Sequence, residues 1–327
     1  MVIDQEITDS HAIYNGDSCE VLPTLKAESV HLSVYSPPFA DLYNYSSSDN
    51  DLSNCRDYEQ FMSHYEFIVR EIYRLLVPGR IAVVHCMDLK RSGMTSAYRD
   101  FPGDIIRLHE KIGFHYQSRH CVWKEPLKIA IRTRAQGLMH RQIVNDSSLC
   151  HAAGADYILV LRKEGKNPAP IEHPLGLSVY YGARGIPQDL QKFKNSQDPK
   201  TNKLSHWIWQ QYASAFWDDI RSGNVLPYRE AKDSEEEKHI CPLQLDVIER
   251  CISLYSIPGE VVLTPFLGVG SEVFCAVRSG RKGIGVELKP SYFRQAVKNV
   301  ARANDPQKDD LFTDDDIDDD EDSIVSV

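Results

Sequence analysis

The stretch that decides the fold is VVLTPFLGVGSEVFCAVRSGRKGIGVE, which runs from Val261 to Glu287. A short apolar run comes first, and the turn FLGVG follows it at 266–270. Apolar residues at helical spacing come next, and a second apolar run ends in an acid. This order is typical of the crevice that binds a nucleoside in a doubly wound sheet. We therefore predict a strand at 261–263, a helix at 271–279 and a second strand at 283–287.

The glycine turn also narrows the class of ligand. Gly268 and Gly270 permit a tight turn, and Glu287 follows Gly270 by 17 residues, where a carboxylate accepts hydrogen bonds from ribose hydroxyls. A dinucleotide fingerprint needs a third glycine where this chain has Val273, and the chain has no Gly-Lys-Ser/Thr phosphate loop. A ligand with ribose and adenine but without phosphate fits better. S-adenosylmethionine is such a cofactor, and a turn with no ligand remains the alternative.

The rest of the chain alternates apolar strands with amphipathic helices, and we expect Pro78-Gly79 to end the first long helix. Such alternation favours an α/β fold with a doubly wound, mostly parallel sheet that is covered on both faces. The predicted strands are 31–35, 80–86, 114–123 and 157–161, and the predicted helices are 61–76, 104–111, 243–255 and 292–303.

A second informative motif is Ser36-Pro37-Pro38-Phe39, directly after the strand predicted at 31–35. Ligands of doubly wound sheets bind beyond the carboxyl ends of the strands. Two prolines fix the backbone and remove two N–H donors, so the Ser36 hydroxyl and the Pro37 carbonyl are suited to accept N–H groups from a substrate amine. Phe39 would stack on a flat ring. A simple strand terminator is the alternative interpretation of this motif.

Composition and charge indicate an ordinary globular protein. The chain has 327 residues, is 42% hydrophobic and carries a net charge of −10, and eleven acids against one lysine in 305–327 account for all of that charge. The body is therefore neutral, and the tail is predicted to be disordered. No stretch reaches the roughly 18 apolar residues of a membrane span. Eight cysteines without a CxxC pair favour reduced thiols and a cytoplasmic location, and the spacing of the histidines disfavours a helical zinc site.

Two segments interrupt the alternation. Residues 164–238 are polar and contain an aromatic cluster, which indicates an insertion or a small second domain. The cluster fits a small core better than a stacking platform. Residues 121–145 carry five basic side chains against one glutamate in a context that resembles a loop, and a solvated loop is the alternative to a surface that binds phosphates. The aromatic cluster is Trp207, Trp209, Tyr212, Phe216 and Trp217, and the basic side chains are Lys124, Lys128, Arg132, Arg134 and Arg141.

The sequence resembles the amino-methyltransferases that methylate exocyclic nitrogens of DNA bases. Their catalytic motif is Asp/Asn/Ser-Pro-Pro-aromatic, matched here by SPPF at 36–39, and their cofactor motif is Phe-x-Gly-x-Gly, matched at 266–270. The catalytic motif precedes the cofactor motif by about 230 residues, which resembles the β-class order. The resemblance covers about residues 12–303. Departures from it are Thr264, where the family usually has Asp, and Cys241, where a Lys is common.

The resemblance implies a circularly permuted, class I methyltransferase-like Rossmann fold. Its expected parts are a catalytic half (1–163), an inserted target recognition region (164–238), a cofactor-binding half (239–304) and the tail (305–327). S-adenosylmethionine is the implied cofactor. The implied cofactor-binding residues are Asp17, Ser36, Thr264, Phe266, Gly268, Gly270, Ser271 and Glu287, and the implied catalytic residues are Ser36, Pro37, Pro38 and Phe39.

The implied reaction is direct methyl transfer to a base flipped out of double-stranded DNA. Serine in the first motif position favours cytosine N4, and adenine N6 is the alternative. Two further hypotheses stay open, namely an inactive DNA-binding protein with this fold and an amino-methyltransferase that acts on protein or RNA. We expect a prokaryotic or mobile-element restriction-modification context. A homodimer and a cognate restriction nuclease remain open as partners, and we expect no membrane partner.

Overall fold

The computed structural model describes residues 2–38, 55, 57–90, 97–133, 135–231 and 242–304. The tail predicted at 305–327 lies outside these residues. Among them the strands are β1 (Asp4–Ile7), β2 (His11–Asn15), β3 (Val30–Tyr35), β4 (Leu76–Met87), β5 (Leu89–Lys90), β6 (Tyr98–Arg99), β7 (Phe114–Val122), β8 (Asp156–Lys163), β9 (Phe216–Trp217), β10 (Val261–Thr264) and β11 (Lys282–Glu287). The α-helices are α1 (Ser18–Val21), α2 (Tyr58–Leu75), α3 (Phe101–Ile112), α4 (Pro126–Thr133), α5 (His140–Asp146), α6 (Lys203–Ala213), α7 (Leu245–Tyr255), α8 (Ser271–Arg278) and α9 (Pro290–Val300).

The fold of the described residues is built around one sheet of nine strands, whose order is β1-β2-β11-β10-β3-β4-β8-β7-β9. The strands from β2 to β4 in this order are parallel, and β8 runs antiparallel to both of its neighbours. The predicted doubly wound, mostly parallel sheet is therefore confirmed. The last two strands of the described residues, β10 and β11, lie between β2 and β3, which is the permuted order that the resemblance implies.

Two apolar layers cover the sheet. Helices α2 and α3 pack in one core cluster with the inner residues of β3 and β4, and α7, α8 and α9 pack in a second cluster. Helix α8 follows β10 and helix α2 follows β3, so the chain leaves these two neighbouring strands toward opposite faces of the sheet. Strands β10 and β3 therefore form the topological switch point, where the crevice of such a sheet opens.

Two sequence expectations about the elements need correction. Pro78-Gly79 does not end α2, because the helix ends at Leu75 and β4 begins at once. The pair lies in an irregular part of β4, where the β3–β4 register shifts. Gly79 has φ of +75°, and a Cβ there would lie 2.5 Å from the backbone nitrogen of Asn167. Strands β1 and β2 were not predicted, because both mix polar with apolar residues and β1 is an exposed edge strand.

The segment predicted as the target recognition region, 164–238, is described as far as 231. It contributes β9, which pairs in parallel with β7, so the segment predicted as an insertion adds one short strand to the main sheet. Its aromatic residues separate into buried Tyr212 and Trp217 and exposed Trp209 and Phe216. The guanidinium of Arg250 on α7 is buried against the rings of Tyr180, Tyr212 and Trp217, which ties the segment to the sheet.

Candidate active site

The two sequence motifs meet at the carboxyl ends of β3 and β10. Leu263 is paired with Ser33 in the parallel ladder, and the Ser33 hydroxyl donates to the Leu263 carbonyl at 3.0 Å. Three residues beyond Ser33, the chain reaches Ser36, and three residues beyond Leu263 it reaches Phe266. Residues about 230 positions apart in sequence thus stand at one edge of the sheet. Phe39 lies outside the described residues.

The acid that ends β11 is tied to the glycine turn. Glu287 Oε2 accepts from the backbone N–H of Gly268 at 2.7 Å, and its Oε1 accepts from the N–H of Lys289 at 2.9 Å. A carboxylate at the end of the second strand of such a unit is suited to accept hydrogen bonds from ribose hydroxyls. Gly268 has φ of +55°, and a Cβ built on it meets no atom within 4 Å. The turn therefore faces open space beside a carboxylate, which fits a ribose.

Glycine is required at position 270 by the backbone conformation and by close packing against α9. It precedes α8 with φ of +99°, and a Cβ there would lie 3.1 Å from the Cα of Ala296 on α9.

The missing third glycine of the dinucleotide fingerprint also has a structural counterpart. Val273 occupies that position on the helix, and Gly283 on β11 leaves room for it, since a Cβ on Gly283 would lie 2.7 Å from Val273 Cγ1. Close helix–strand packing is thus achieved with the small residue on the strand.

Asp17 follows the end of β2 and lies at the same end of the sheet as the glycine turn and Glu287. The N–H of Gly16 donates to the Glu287 carbonyl at 2.9 Å. Asp17 begins α1 and accepts from the N–H of Cys19 at 2.8 Å. The Ser18 hydroxyl donates to the Pro265 carbonyl at 2.5 Å. Asp17 therefore stands beside both the acid of β11 and the loop that follows β10.

The other predicted cofactor residues differ in exposure. The Phe266 ring is partly exposed and lies 5.9 Å from the ring of Tyr35, centroid to centroid. Thr264 is fully buried, and its hydroxyl donates to the Phe266 carbonyl at 3.3 Å. Ser271, the first residue of α8, is also buried. A direct cofactor contact is thus better supported for Phe266 than for the side chains of Thr264 and Ser271.

Sequence reasoning missed a polar chain behind Ser36. The Ser36 hydroxyl lies 3.0 Å from His85 Nδ1, and His85 Nε2 lies 2.8 Å from Asp156 Oδ2. Lys124 Nζ lies 2.5 Å from the same carboxylate oxygen. Burial raises the pKa of Asp156, but the neighbouring His85 and Lys124, which hydrogen-bond to its carboxylate, outweigh burial and hold this pKa well below the ordinary value. These residues come from β4, β8 and the segment after β7, and no motif connects them in sequence.

The predicted basic segment is largely helical instead of a loop, since it contains α4 and α5. The Lys124 side chain is only 17% exposed and already ion-paired, which differs from the predicted phosphate contact. Arg141 is exposed on α5, a helix without buried residues. Lys128 and Arg132 lie on α4 in side-chain positions that the structure does not describe, and Arg134 lies outside the described residues.

Comparison with known proteins identifies the family. Residues 30–298 match the family model of N6 and N4 methyltransferases, described as DNA methylase. This chain belongs to that family. Its relatives include the Type II methyltransferase M.MjaI of Methanocaldococcus jannaschii, 26% identical over 310 residues, which are 88% of this chain and 89% of the relative. The Type II methyltransferase M.MthZI of Methanothermobacter thermautotrophicus is 23% identical over 86% of this chain and 74% of the relative.

Solved structures agree with the fold of this DNA methylase. TTHA0409 of Thermus thermophilus, complexed with S-adenosyl-L-methionine, is 26% identical and has a TM-score of 0.56 over 90% of this chain and 93% of its own. The cytosine-N4-specific PvuII DNA methyltransferase has a TM-score of 0.58 at 17% identity, over 93% of this chain and 96% of its own. The cofactor of this methylase is S-adenosylmethionine. The open space at Gly268 beside the Glu287 carboxylate fits the ribose of this cofactor.

Within the part of the chain that the structure describes, every helix is too short or too polar to cross a lipid bilayer.

Proposed function

We propose that this DNA methylase transfers the methyl group of S-adenosylmethionine to N4 of a cytosine that is flipped out of duplex DNA. The observation that carries this proposal is the meeting of the Ser36-Pro37-Pro38 turn with the loop after β10. A base held at Ser36 would present its amine to a cofactor held at 266–287. When bound, the cofactor supplies an electrophilic methyl group.

The residues of this chain have separable roles in the proposal. Ser36 and the Pro37 carbonyl accept the N–H groups of the target amine, which directs the nitrogen lone pair toward the methyl group. Pro38 fixes the turn and Phe39 stacks on the base. On the cofactor side, Glu287 binds the ribose and Phe266 packs against the adenosine. Asp17 and the turn from Gly268 to Gly270 border the same space, with Thr264 and Ser271 supporting the turn from within the protein.

The choice of cytosine over adenine rests on Ser36. The neutral hydroxyl is a weaker acceptor than the carboxylate or amide of the Asp or Asn that often stands in this position. Because the exocyclic amines of cytosine and adenine are not the same group, we expect them to suit acceptors of different strength. We assign the weaker acceptor, serine, to the cytosine amine. Relatives differ on this point, since the PvuII enzyme is named cytosine-N4-specific and the relative YhdJ of Escherichia coli is named a DNA adenine methyltransferase. Adenine N6 is therefore the second candidate.

The deciding experiment incubates the protein with methyl-labelled S-adenosylmethionine and plasmid DNA from a host without adenine and cytosine methylases. The plasmid is then digested to nucleosides, which are identified by mass spectrometry. We expect N4-methyldeoxycytidine. N6-methyldeoxyadenosine would replace the first candidate with the second. A Ser36→Ala variant that binds cofactor normally is the control, and label incorporated equally by this variant would refute the role of Ser36. Absence of any label from the wild type would favour an inactive DNA-binding protein.

DNA contacts and partners complete the proposal. Arg141 on α5 is exposed and is proposed to contact phosphate, together with Lys128, Arg132 and Arg134. Residues 164–238 are proposed to read the base sequence. Because M.MjaI and M.MthZI are Type II methyltransferases, we propose a role in DNA modification beside a restriction nuclease.

A further inference from the structure

The chain of polar side chains behind Ser36 is not used by the function proposed above. It runs from Ser36 at the end of β3 to His85 on β4 and then to Asp156 at the start of β8, with hydrogen-bond distances of 3.0 and 2.8 Å. His85 and Asp156 have side chains that are 12% and 5% exposed. Lys124 closes the chain, 2.5 Å from Asp156 Oδ2. With His85 neutral, this order of hydroxyl, imidazole, carboxylate and ammonium sets the direction of each hydrogen bond between them.

The direction follows from the carboxylate end. Burial opposes ionisation of Asp156, but Lys124 and His85 keep its pKa low, so this side chain is a carboxylate that only accepts. His85 Nε2 must then carry the proton of the 2.8 Å bond. We take His85 to be neutral before the reaction, so that its other nitrogen, Nδ1, is an acceptor. The hydroxyl of Ser36 is therefore the donor of the 3.0 Å bond, and its proton points toward His85.

A serine hydroxyl is both donor and acceptor, and a free hydroxyl is able to rotate and present its proton to the target amine. A hydroxyl whose proton is already donated presents only lone pairs to a neighbouring N–H. Asp in the same motif position presents lone pairs in every orientation, since a carboxylate has no proton to present. The need for a partner that takes the hydroxyl proton is thus specific to serine.

The geometry points to His85 and Asp156 as positioning residues that make Ser36 Oγ an acceptor for the target amine, with His85 receiving the proton released by methylation. This inference rests on the proposed function, because it requires the amine to be bound at Ser36. It deepens that function by assigning the fate of the proton. Lys124 is the last member of this row of polar side chains, and its positive charge keeps the Asp156 carboxylate ionised.

The proton balance is complete within the named groups. The nitrogen lone pair forms the bond to the methyl carbon, and the pair of the breaking carbon–sulfur bond stays on sulfur, so the positive charge moves from sulfur to nitrogen. One N–H proton then passes to Ser36 Oγ while the hydroxyl proton passes to His85 Nδ1. The resulting imidazolium lies 2.8 Å from the Asp156 carboxylate, which stabilises it. The imidazolium releases its proton to water after the methylated base leaves.

The test is a double-mutant cycle on the full chain. His85→Ala is measured in the Ser36 protein and again in a Ser36→Asp background, with single-turnover rates on unmethylated plasmid DNA and with cofactor affinity by calorimetry. In the serine background we expect His85→Ala to lower the rate by about 10- to 100-fold, the worth of a charge-assisted hydrogen bond, with unchanged cofactor affinity. In the aspartate background we expect a change within about threefold, because the acceptor no longer depends on histidine.

Two further variants separate positioning from simple support of the fold. Asp156→Asn keeps the shape of the side chain but no longer requires the proton to be on Nε2, and we expect it to slow the serine protein about tenfold or more. His120→Ala is the matched control, since His120 is also largely buried, lies on the neighbouring strand β7 and is hydrogen-bonded to the Ser214 carbonyl. We expect its single-turnover rate to stay near that of the wild type.

The outcomes distinguish this inference from the proposed function. If Ser36→Ala is as fast as the wild type, the amine is not bound at Ser36 and both proposals fail. If Ser36→Ala is slow while His85→Ala and Asp156→Asn are fast, the proposed function stands and the positioning chain is overturned. An equal loss from His85→Ala in both backgrounds would show that His85 only supports the fold, and this would also overturn the inference. If His85→Ala does not fold, the rate of Asp156→Asn alone decides.

Discussion

The backbone N–H of Gly268 and the carboxylate of Glu287 are joined by a hydrogen bond of 2.7 Å. The acid at the end of β11 thus fixes the turn after β10 as well as facing the ligand. A residue chosen from the sequence for ribose binding is at the same time a structural part of its own site. Changes at either residue therefore have to be tested for cofactor affinity and for fold separately.

At the glycine turn, Gly268→Asp should abolish cofactor binding and leave the protein folded. The site has open space for a side chain and a φ of +55°, which Asp tolerates better than most residues, but the new carboxylate would occupy the ribose space beside Glu287. Calorimetric titration with S-adenosylmethionine and a thermal melt check both halves. Gly270→Ala is the counterpart and should lower the free energy of unfolding by about 1–3 kcal/mol, because its Cβ would press on Ala296. Near-normal affinity of Gly268→Asp would place the cofactor elsewhere.

Neighbouring carboxylates offer a test of the buried ion pair. Asp219 lies 2.8 Å from Arg250, with both side chains buried, whereas the Asp218 side chain is 57% exposed and paired with an exposed Arg184. Asp219→Ala leaves a buried guanidinium without its carboxylate and should cost about 3–5 kcal/mol in urea unfolding. Asp218→Ala should cost less than about 1 kcal/mol. Equal losses would contradict the anchoring role assigned to Arg250.

Glu272 on α8 should make stability depend on pH. Burial, assisted by the charge of Glu287, raises the pKa of Glu272 to about 8. An unfolded glutamate ionises near pH ~4.3, so between that pH and 8 the unfolded chain has lost a proton that the folded protein keeps. The free energy of unfolding therefore falls as pH rises through this window. Glu272→Gln stays neutral and should be more stable than wild type by a few kcal/mol near pH ~8, with little difference near pH ~4.5.

Urea unfolding at both pH values checks this expectation. Glu110→Gln, at an exposed position near the end of α3, is the control and should show no such dependence. A wild type whose advantage over Glu272→Gln grows with pH would mean that Glu272 is ionised in the folded protein.

For DNA binding, Arg141→Ala should reduce the salt dependence of affinity. A side chain that contacts one phosphate contributes about 1 to the slope of log affinity against log salt, whatever the base sequence. Arg162→Ala is a fair control because Arg162 is also exposed but lies near the end of β8, an antiparallel strand that begins at the catalytic edge and ends at the opposite one. Titrations of both variants with duplex DNA at several salt concentrations decide the matter. A slope unchanged by Arg141→Ala would remove α5 from the proposed interface.

Local patterns in the sequence were enough to predict the unit from Val261 to Glu287. Its strands are buried runs, its helix is amphipathic, and its turn requires positive φ at two glycines. The same reasoning could not find the role of Gly283, because only the packed structure shows that Val273 leans on it. It also misplaced Pro78-Gly79, since a Pro-Gly pair with positive φ at the glycine looks alike at a helix end and in an irregular strand.

The long-range polar contacts could not be predicted from the sequence, for a different reason. His85 and Asp156 are 71 residues apart, and neither belongs to a spacing that indicates a site. Lys124 looked like a member of a basic surface because its counter-ion is distant in sequence and adjacent in space. A hint was available in position alone, since His85 was expected near the carboxyl end of a strand, where ligands of such sheets bind.

The place of β10 and β11 in the sheet has a consequence for the order in which the protein is made. Strands β2 and β3 are synthesised early, but the two strands that lie between them come from the last quarter of the described chain. A ribosome-bound chain that ends before Val261 contains the strands on both sides of β10 and β11 but not these two strands. The facing edges of β2 and β3 are therefore still unpaired at that stage. Since the glycine turn and its acid arrive together with those strands, a nascent chain acquires its cofactor crevice in the same event that closes its sheet.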